Sequence, residues 1–415
     1  MAGVTLLTAC DNALNETDYT YSISSETFYN TVEEANAAVL APLDAMRSAY
    51  NSNFFATLEI NTEYCYPKGV YQTYKQYNGF VNATHMNRSD SNWQSLYKAI
   101  MFCNTAIERI PNATKMTEEE KVAYLGELRF LRGFNYFNLV KYWGGVPLKT
   151  DKNITEWNIP KSSKEEVYNF IIEDLKYALD NCPDKKRYLA TPDKNTVRVC
   201  LADVYMHTGD YIEAKKLSGE VVNSGAYQLV QVAEPRDFDK VFGADLTTST
   251  EEIFYIKTSR IDGKTWDYLS YTSHPKYEFV PGKTMLNGNG YYTHYTDLRN
   301  HIIKSWDTND LRYGMNIGFY VFGKDAYGEY TCLLTKYTDP NAQGNGANVS
   351  IPLIRYTDAM LIYSEACARV ANAPTTESIE MLNQLRRRAY GKDPKVPNAE
   401  LDYKLSDYAS MTAYM

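Results

Sequence analysis

The chain has 415 residues, of which 44% are apolar and 23% charged, with a net charge of −8. It is long enough to bury a large core in one domain or in two to three smaller ones, and its composition is that of a folded protein. No window approaches the apolar run of about 18 residues that spans a bilayer as a helix, and no Lys/Arg stripe with interleaved aromatics points to nucleic acid as a partner.

In chain order, the first landmark is Leu7-Thr8-Ala9-Cys10. It resembles a bacterial lipobox, in which small residues precede a Cys whose thiol takes a diacylglyceryl group and which becomes the acylated N-terminus after cleavage. The basic leader of a signal peptide is missing ahead of it. Residues 1–10 are therefore expected to be a residual signal with its anchor at Cys10. Residues 11–25, polar and without helical period, are expected to be a tether.

A helix is predicted over 31–50 from the start signals at Ser25, Glu26 and Thr31. Residues 51–92 are rich in Tyr, Asn, Thr and Gly and read as irregular. From Trp93 an apolar face runs through Leu96, Tyr97, Ile100, Cys103, Ile107 and Ile110, ended by Pro111-Asn112. A long helix over 117–142 opens on Thr117-Glu118-Glu119-Glu120 and stops at Gly144-Gly145. Its apolar residues lie on two sides, which implies burial between neighbours. A helix follows over 163–179. Then 196–208 and 211–223 form a helix-turn-helix with Gly209-Asp210 in the turn, in the pattern of a tetratricopeptide unit.

Residues 226–352 carry short apolar runs, Gly, Asn and aromatics, with strands expected at Glu252–Ile256 and Ile317–Val321. This reads as an irregular insertion of the kind that carries binding on a repeat scaffold. A last helix pair is predicted over 354–371 and 375–388. The fold class is thus mainly α: a tetratricopeptide-like helix-pair scaffold with a long irregular insertion carrying short strands. The expected division is 26–225 for the first scaffold region, 226–352 for the insertion and 353–415 for the last pair and its tail.

Chemistry-bearing motifs are few. The six cysteines after Cys10 form no C-x-x-C pair and there are five His, so neither a zinc site nor another metal is expected. Cys103, Cys200 and Cys367 read as small core residues. There is no Walker loop, Gly-x-Ser-x-Gly elbow or His-Glu-x-x-His, no motif requires a cofactor, and no pair among the 51 acidic residues stands out as glycosidase carboxylates. Asp307-Thr-Asn309-Asp310-Leu-Arg312 lacks the twelve-position calcium pattern and reads as a solvated turn.

The unusual count is 37 tyrosines, within an aromatic share of 14%. A phenol has a flat apolar face and a polar tip, which suits wet binding surfaces as well as helix interfaces.

Glu127 to Leu148, ELRFLRGFNYFNLVKYWGGVPL, resembles the signature helix of the SusD/RagB family. WQSLYKAI from Trp93 with Asn104, ADVY from Ala202, GDYIEA from Gly209, IRYTDAMLIYSEA from Ile354 and LNQLRRRA from Leu382 resemble further family helices, in family order. Members usually continue into another helix beyond the late pair, so the tail to Met415 is expected to be truncated. The resemblance implies a non-enzymatic outer-membrane lipoprotein on the cell surface. It would capture oligosaccharide or polysaccharide as a lid on a SusC-like TonB-dependent transporter, with RagB-type peptide capture as the alternative cargo.

Sugar rings stack on aromatics while their hydroxyls seek amides and carboxylates. Two irregular segments have that mixture, 61–78 and 266–292. The position just before the Trp93 helix in relatives favours Tyr66, Tyr71 and Tyr74. The second segment offers Trp266, Tyr268 and Tyr292, together with Tyr291, which follows an Asn-Gly step as a glycan-contacting aromatic does in relatives.

Overall fold

The helix start signals are used where the sequence places them. In the computed structural model, which describes residues 28–50, 52–75, 83–291, 293–320, 330–342, 344–408 and 410–414, three reciprocal capping boxes open long helices. Thr31 and Glu34 open α1 (Val32–Ala49), Thr117 and Glu120 open α5 (Glu118–Trp143), and Ser163 and Glu166 open α6 (Lys164–Asn181). Asp193 and Asp210 cap α7 (Lys194–Thr208) and α8 (Tyr211–Val222). Gly209 ends α7 at φ +87°, a left-handed turn that lets the chain double back. The late pair is α13 (Tyr356–Ala371) and α14 (Thr376–Ala389).

Two expectations need correction here. Residues 51–92 are not uniformly irregular: α2 (Ser52–Glu59) and the short α3 (Gln72–Lys75) lie within them, and α4 (Ala83–Arg109) begins ten residues before Trp93. Ile354 does not start a helix either. It belongs to strand β8 (Ile351–Arg355), and α13 begins at Tyr356. The Ile-Pro-Leu-Ile run is equally apolar in both readings, and Pro352 is tolerated because the two-stranded sheet leaves an edge. Cys10, residues 1–10 and the tether 11–25 lie outside the described residues.

Helices pack as neighbours in sequence: α1 on α4, α4 on α5, α5 on α6, α6 on α7 and α7 on α8, and the array then resumes with α8 on α13 and α13 on α14. Because α8 meets α13, the stretch between them is looped out of a continuous scaffold. Leu128, Phe130, Leu131, Phe134, Tyr136, Phe137, Leu139 and Val140 of α5 are all buried, as two-sided packing requires. Arg132, 2% exposed, ties three helices together. Its guanidinium donates to both carboxylate oxygens of Asp174 on α6 at 2.7 and 2.8 Å, to Asn104 on α4 at 2.8 Å and to Asp151 at 2.6 Å.

Within 226–352, β2 (Glu252–Ile256) pairs antiparallel with β8 at the end of the insertion. Phe254 of β2 lies edge-on to Phe130 and Phe134 of α5 at 5.2 and 5.4 Å, which seats that pair on the scaffold. Within the insertion are the short helices α9 (Asp239–Phe242), α10 (Leu269–Thr272), α11 (His301–Ser305) and α12 (Leu311–Asn316). Its strands are β3 (Glu278–Val280), β4 (Lys283–Thr284), β5 (His294–Asp297), β6 (Ile317–Phe319) and β7 (Thr331–Leu334). A four-stranded sheet has the order β1-β5-β7-β6, where β1 (Tyr66–Pro67) comes from outside the insertion.

Beyond α14, buried Arg387 binds Asp402, Glu380 and the Pro394 carbonyl, so the polar tail is folded back onto that helix. The last turn, α15 (Met411–Tyr414), places the Tyr414 hydroxyl 2.6 Å from that of Ser364. The six cysteines after Cys10 are all buried and free. Among the described residues no helix is long and apolar enough to cross a membrane.

Candidate functional site

The two tyrosine-rich segments meet. β1 pairs antiparallel with β5, with Tyr66 opposite Tyr295 and Pro67 opposite His294. The Tyr66 and Tyr295 rings are 5.8 Å apart. Tyr66 is half-buried. Its hydroxyl accepts a hydrogen bond from Asn300 Nδ2 at 2.9 Å, and the Lys75 ammonium sits 4.6 Å from its ring centroid. One amide and one ammonium thereby hold the Tyr66 ring in place.

Among the described residues, Tyr291 is the most exposed of the proposed rings, at 50%. Its backbone N–H donates to Ser270 O at 2.6 Å, its ring meets Tyr271 edge-on at 6.1 Å, and its hydroxyl accepts from Asn345 Nδ2. Gly290 before it has φ +149°, and a Cβ there would lie 2.3 Å from Ser273 O, so the approach requires glycine. The amides of Asn287 and Asn289 donate to Ala342 O at 2.9 Å and Gly344 O at 2.8 Å. The turn that carries Tyr291 is thus pinned to a second loop, and the ring is presented without needing to be ordered by a ligand.

Three proposed stacking residues turn out to be structural. Tyr71 is 2% exposed and packs against Tyr271 at 5.6 Å and His294 at 5.0 Å. Trp266, 1% exposed, lies between Phe55, Tyr268 and Tyr337 at 5.2, 5.3 and 5.0 Å, and its indole N–H donates to Tyr50 O at 3.2 Å. Tyr268, 6% exposed, packs on Phe55 at 5.5 Å. Tyr71 and Trp266 are enclosed by these contacts, while Tyr268 keeps an edge on a cleft. The side chain of Tyr74, and Tyr292 altogether, lie outside the described residues.

Residue type alone did not point to Tyr271, Tyr295, Asn300, Lys75 or Asn345 as their companions. The Asn- and Gly-rich run 341–348 was the available signal for Asn345. The reading of 307–312 as a solvated turn holds for the exposed Asp307, Thr308 and Asn309 but not for Asp310. Asp310 is 3% exposed, caps α12 by accepting from Arg312 N at 2.9 Å, and accepts from Trp306 Nε1 at 3.2 Å. Among the described residues no cluster of His, Cys, Asp and Glu could hold a metal ion.

Besides a cavity of about 1010 Å³ between residues 222–231, residues 248–250 and α14, two adjoining clefts lie between scaffold and insertion. The larger, about 490 Å³, is lined by the rings of Phe54, Phe55 and Tyr142 and by Asn138, Arg355 and Asp358. The smaller, about 320 Å³, is lined by Glu59, Tyr64, Tyr268 and Trp306. Phe55, Lys336 and Tyr337 form the wall common to both. Burial pushes the Lys336 ammonium down to about 8, with Arg355 adding to the effect.

Residues 11–206 match a family model described as "Starch-binding associating with outer membrane", and residues 201–406 match one described as "SusD family". A SusD-like protein of Formosa agariphila is 26% identical over 92% of this chain and 79% of its own length. One of Bacteroides ovatus is 26% identical over 92% and 74%. Among solved structures, a SusD homolog from Bacteroides thetaiotaomicron superposes with TM-score 0.77 at 20% identity, covering 92% of this chain and 81% of that one. A laminarin-binding SusD-like protein superposes with TM-score 0.72 at 18% identity, covering 90% and 86%.

Proposed function

Because the chain belongs to the SusD/RagB family, we propose that it is a cell-surface lipoprotein, acylated at Cys10. It captures oligosaccharides and passes them, without cleaving them, to a SusC-like TonB-dependent transporter in the outer membrane. The observation that carries the glycan reading is the half-exposed Tyr291 ring on its pinned turn, with Asn345 at its hydroxyl and Asn289 on the same loop. A flat ring beside planar amides matches the C–H face and the hydroxyl rim of a sugar. The laminarin-binding relative of the same fold supports this choice of cargo. The half-buried Tyr66–Tyr295 pair gives the same sheet further ring surface.

A glycan array, followed by calorimetric titration of the best ligand against wild type and Tyr291→Ala, tests the proposal. Binding lost or weakened at least tenfold in the variant, with the ligand recovered uncleaved, is the expected result. Unchanged affinity sinks the site. Binding of a peptide pool with no response to any glycan sinks the cargo. Metabolic labelling with palmitate in wild type and Cys10→Ala tests the anchor, and co-purification with the transporter tests the hand-over.

A further inference from the structure

The wall between the two clefts carries a charge arrangement that helix packing does not require. Lys336 Nζ lies 4.3 Å from the centroid of the Phe242 ring and 5.3 Å from that of Tyr337. Arg355, at the end of β8, places its guanidinium carbon 5.3 Å from the same Phe242 ring. Both side chains line the larger cleft, so two cations share one aromatic ring beside open volume.

Of the nearby carboxylates, Asp358 already pairs with Arg355, whereas Glu59 and Asp203 are engaged by other groups. Asp358 lies 3.7 Å from Arg355 and caps the start of α13 by accepting from Arg355 N. Glu59 accepts from the Tyr64 hydroxyl, and Asp203 lies 3.4 Å from His207. Lys336 forms no ion pair among the described residues. Lys336 is part-buried on the wall common to both clefts, with Glu59 and Asp358 nearby but no ion-pair partner in direct contact among the described residues. The remaining partner would come from outside the chain.

We propose that this cleft receives a saccharide through an anionic substituent, a sugar carboxylate or sulfate ester, with Lys336 and Arg355 as its counter-ions. The rings of Phe54, Phe55 and Tyr142 flank the sugar. This deepens the glycan reading above and rests on it. A cavity of about 490 Å³ is far larger than a free inorganic anion needs, and its ring lining is suited to the apolar faces of a pyranose. Charge-assisted hydrogen bonds to such a group are the strong kind. The groups facing Lys336 are Arg355, which disfavours its proton, and Glu59 and Asp358, which favour it. An added anion joins the second set, so ligand binding near pH 8 draws a proton onto the amine.

The test is calorimetric titration of the full chain at pH 7 with four tetrasaccharides: tetragalacturonate, a carrageenan-derived sulfated tetrasaccharide, maltotetraose and laminaritetraose. At least one anionic ligand should bind wild type and bind Lys336→Met at least tenfold more weakly, while the variant melts no lower than wild type. The arm that responds distinguishes carboxylate from sulfate. Neutral ligands binding while neither anionic one does overturns this inference and leaves the glycan reading intact. No binding by any saccharide overturns both. Anionic binding unchanged in the variant removes Lys336 from the site. A measurement on the unaltered protein stands apart from the variant's folding: at pH 8, titrations in HEPES and in Tris should differ by the heat of proton uptake. Equal heats overturn the proposal.

Discussion

Along α5 the rings of Phe130, Phe134, Tyr136 and Phe137 are all buried, whereas in the insertion the exposure of the proposed rings climbs from 1% at Trp266 and 6% at Tyr268 to 50% at Tyr291. Helices flank α5 on both faces and close these four rings, while Tyr142 at its end stays 41% exposed on the cleft. The insertion packs only its inner rings, against Phe55 and Tyr337, and leaves its outer turn in water. The same residue type is therefore mortar at one end of the insertion and a presented surface at the other. Burial is set by the distance from the joint, not by local sequence.

The sharpest way to break this contrast is inside the scaffold. Arg132→Ala removes the two-point partner of Asp174, leaving only Arg129 at 3.8 Å beside a carboxyl that burial already holds above its ordinary value. A loss of about 3–5 kcal/mol is expected in guanidinium unfolding, and a loss below 1 kcal/mol would show that the network holds nothing together. Next is Tyr71→Ala, which empties a packed position between Tyr271 and His294. It should destabilise the protein by about 3 kcal/mol and would act on glycan binding only through the fold. Tyr291→Ala should do the reverse: stability within about 0.5 kcal/mol of wild type, and binding weakened about tenfold, or about 1.4 kcal/mol. If the two tyrosines exchanged these outcomes, the division between joint and surface would be wrong.

The smallest effect is a pH dependence. Lys336 has a folded-state value near 8, below its ordinary 10.5, so between those limits the unfolded chain holds more protons than the native one. Its destabilising contribution is complete below pH 8 and is relieved as pH rises toward 10.5. The advantage of Lys336→Met over wild type, on the order of 1 kcal/mol after allowing for partial solvent screening, should shrink over that window when melting is followed against pH.

Most of the scaffold was legible because its signals are local. Capping boxes at Thr31, Thr117 and Ser163, the turn at Gly209 and the two-sided apolar pattern of α5 each specify structure within a few residues. The front of α4 was hidden because Ala83 to Asn92 is polar and has no apolar period, and α2 because eight residues are too few to establish one. Strand β8 was mistaken for a helix start since a short apolar run carries both meanings until its partner β2 is known. In the site, the meeting of 61–75 with 266–297 is a long-range pairing of Tyr66 with Tyr295 that neither segment encodes alone. Which tyrosines would be occluded depended on Phe55 and Tyr337, residues far away in the chain, so chemistry pointed to the right neighbourhood but not to the right rings.

Since β2 and β8 are hydrogen-bonded neighbours, the hundred-residue excursion between them leaves and re-enters the helix array at a single point, with β1 as an added staple. A different sequence spanning the same two strands would alter what is held, provided that it kept the rings that seat on Phe55 and Tyr50. Diversification of cargo by replacement between fixed ends is therefore built into the topology.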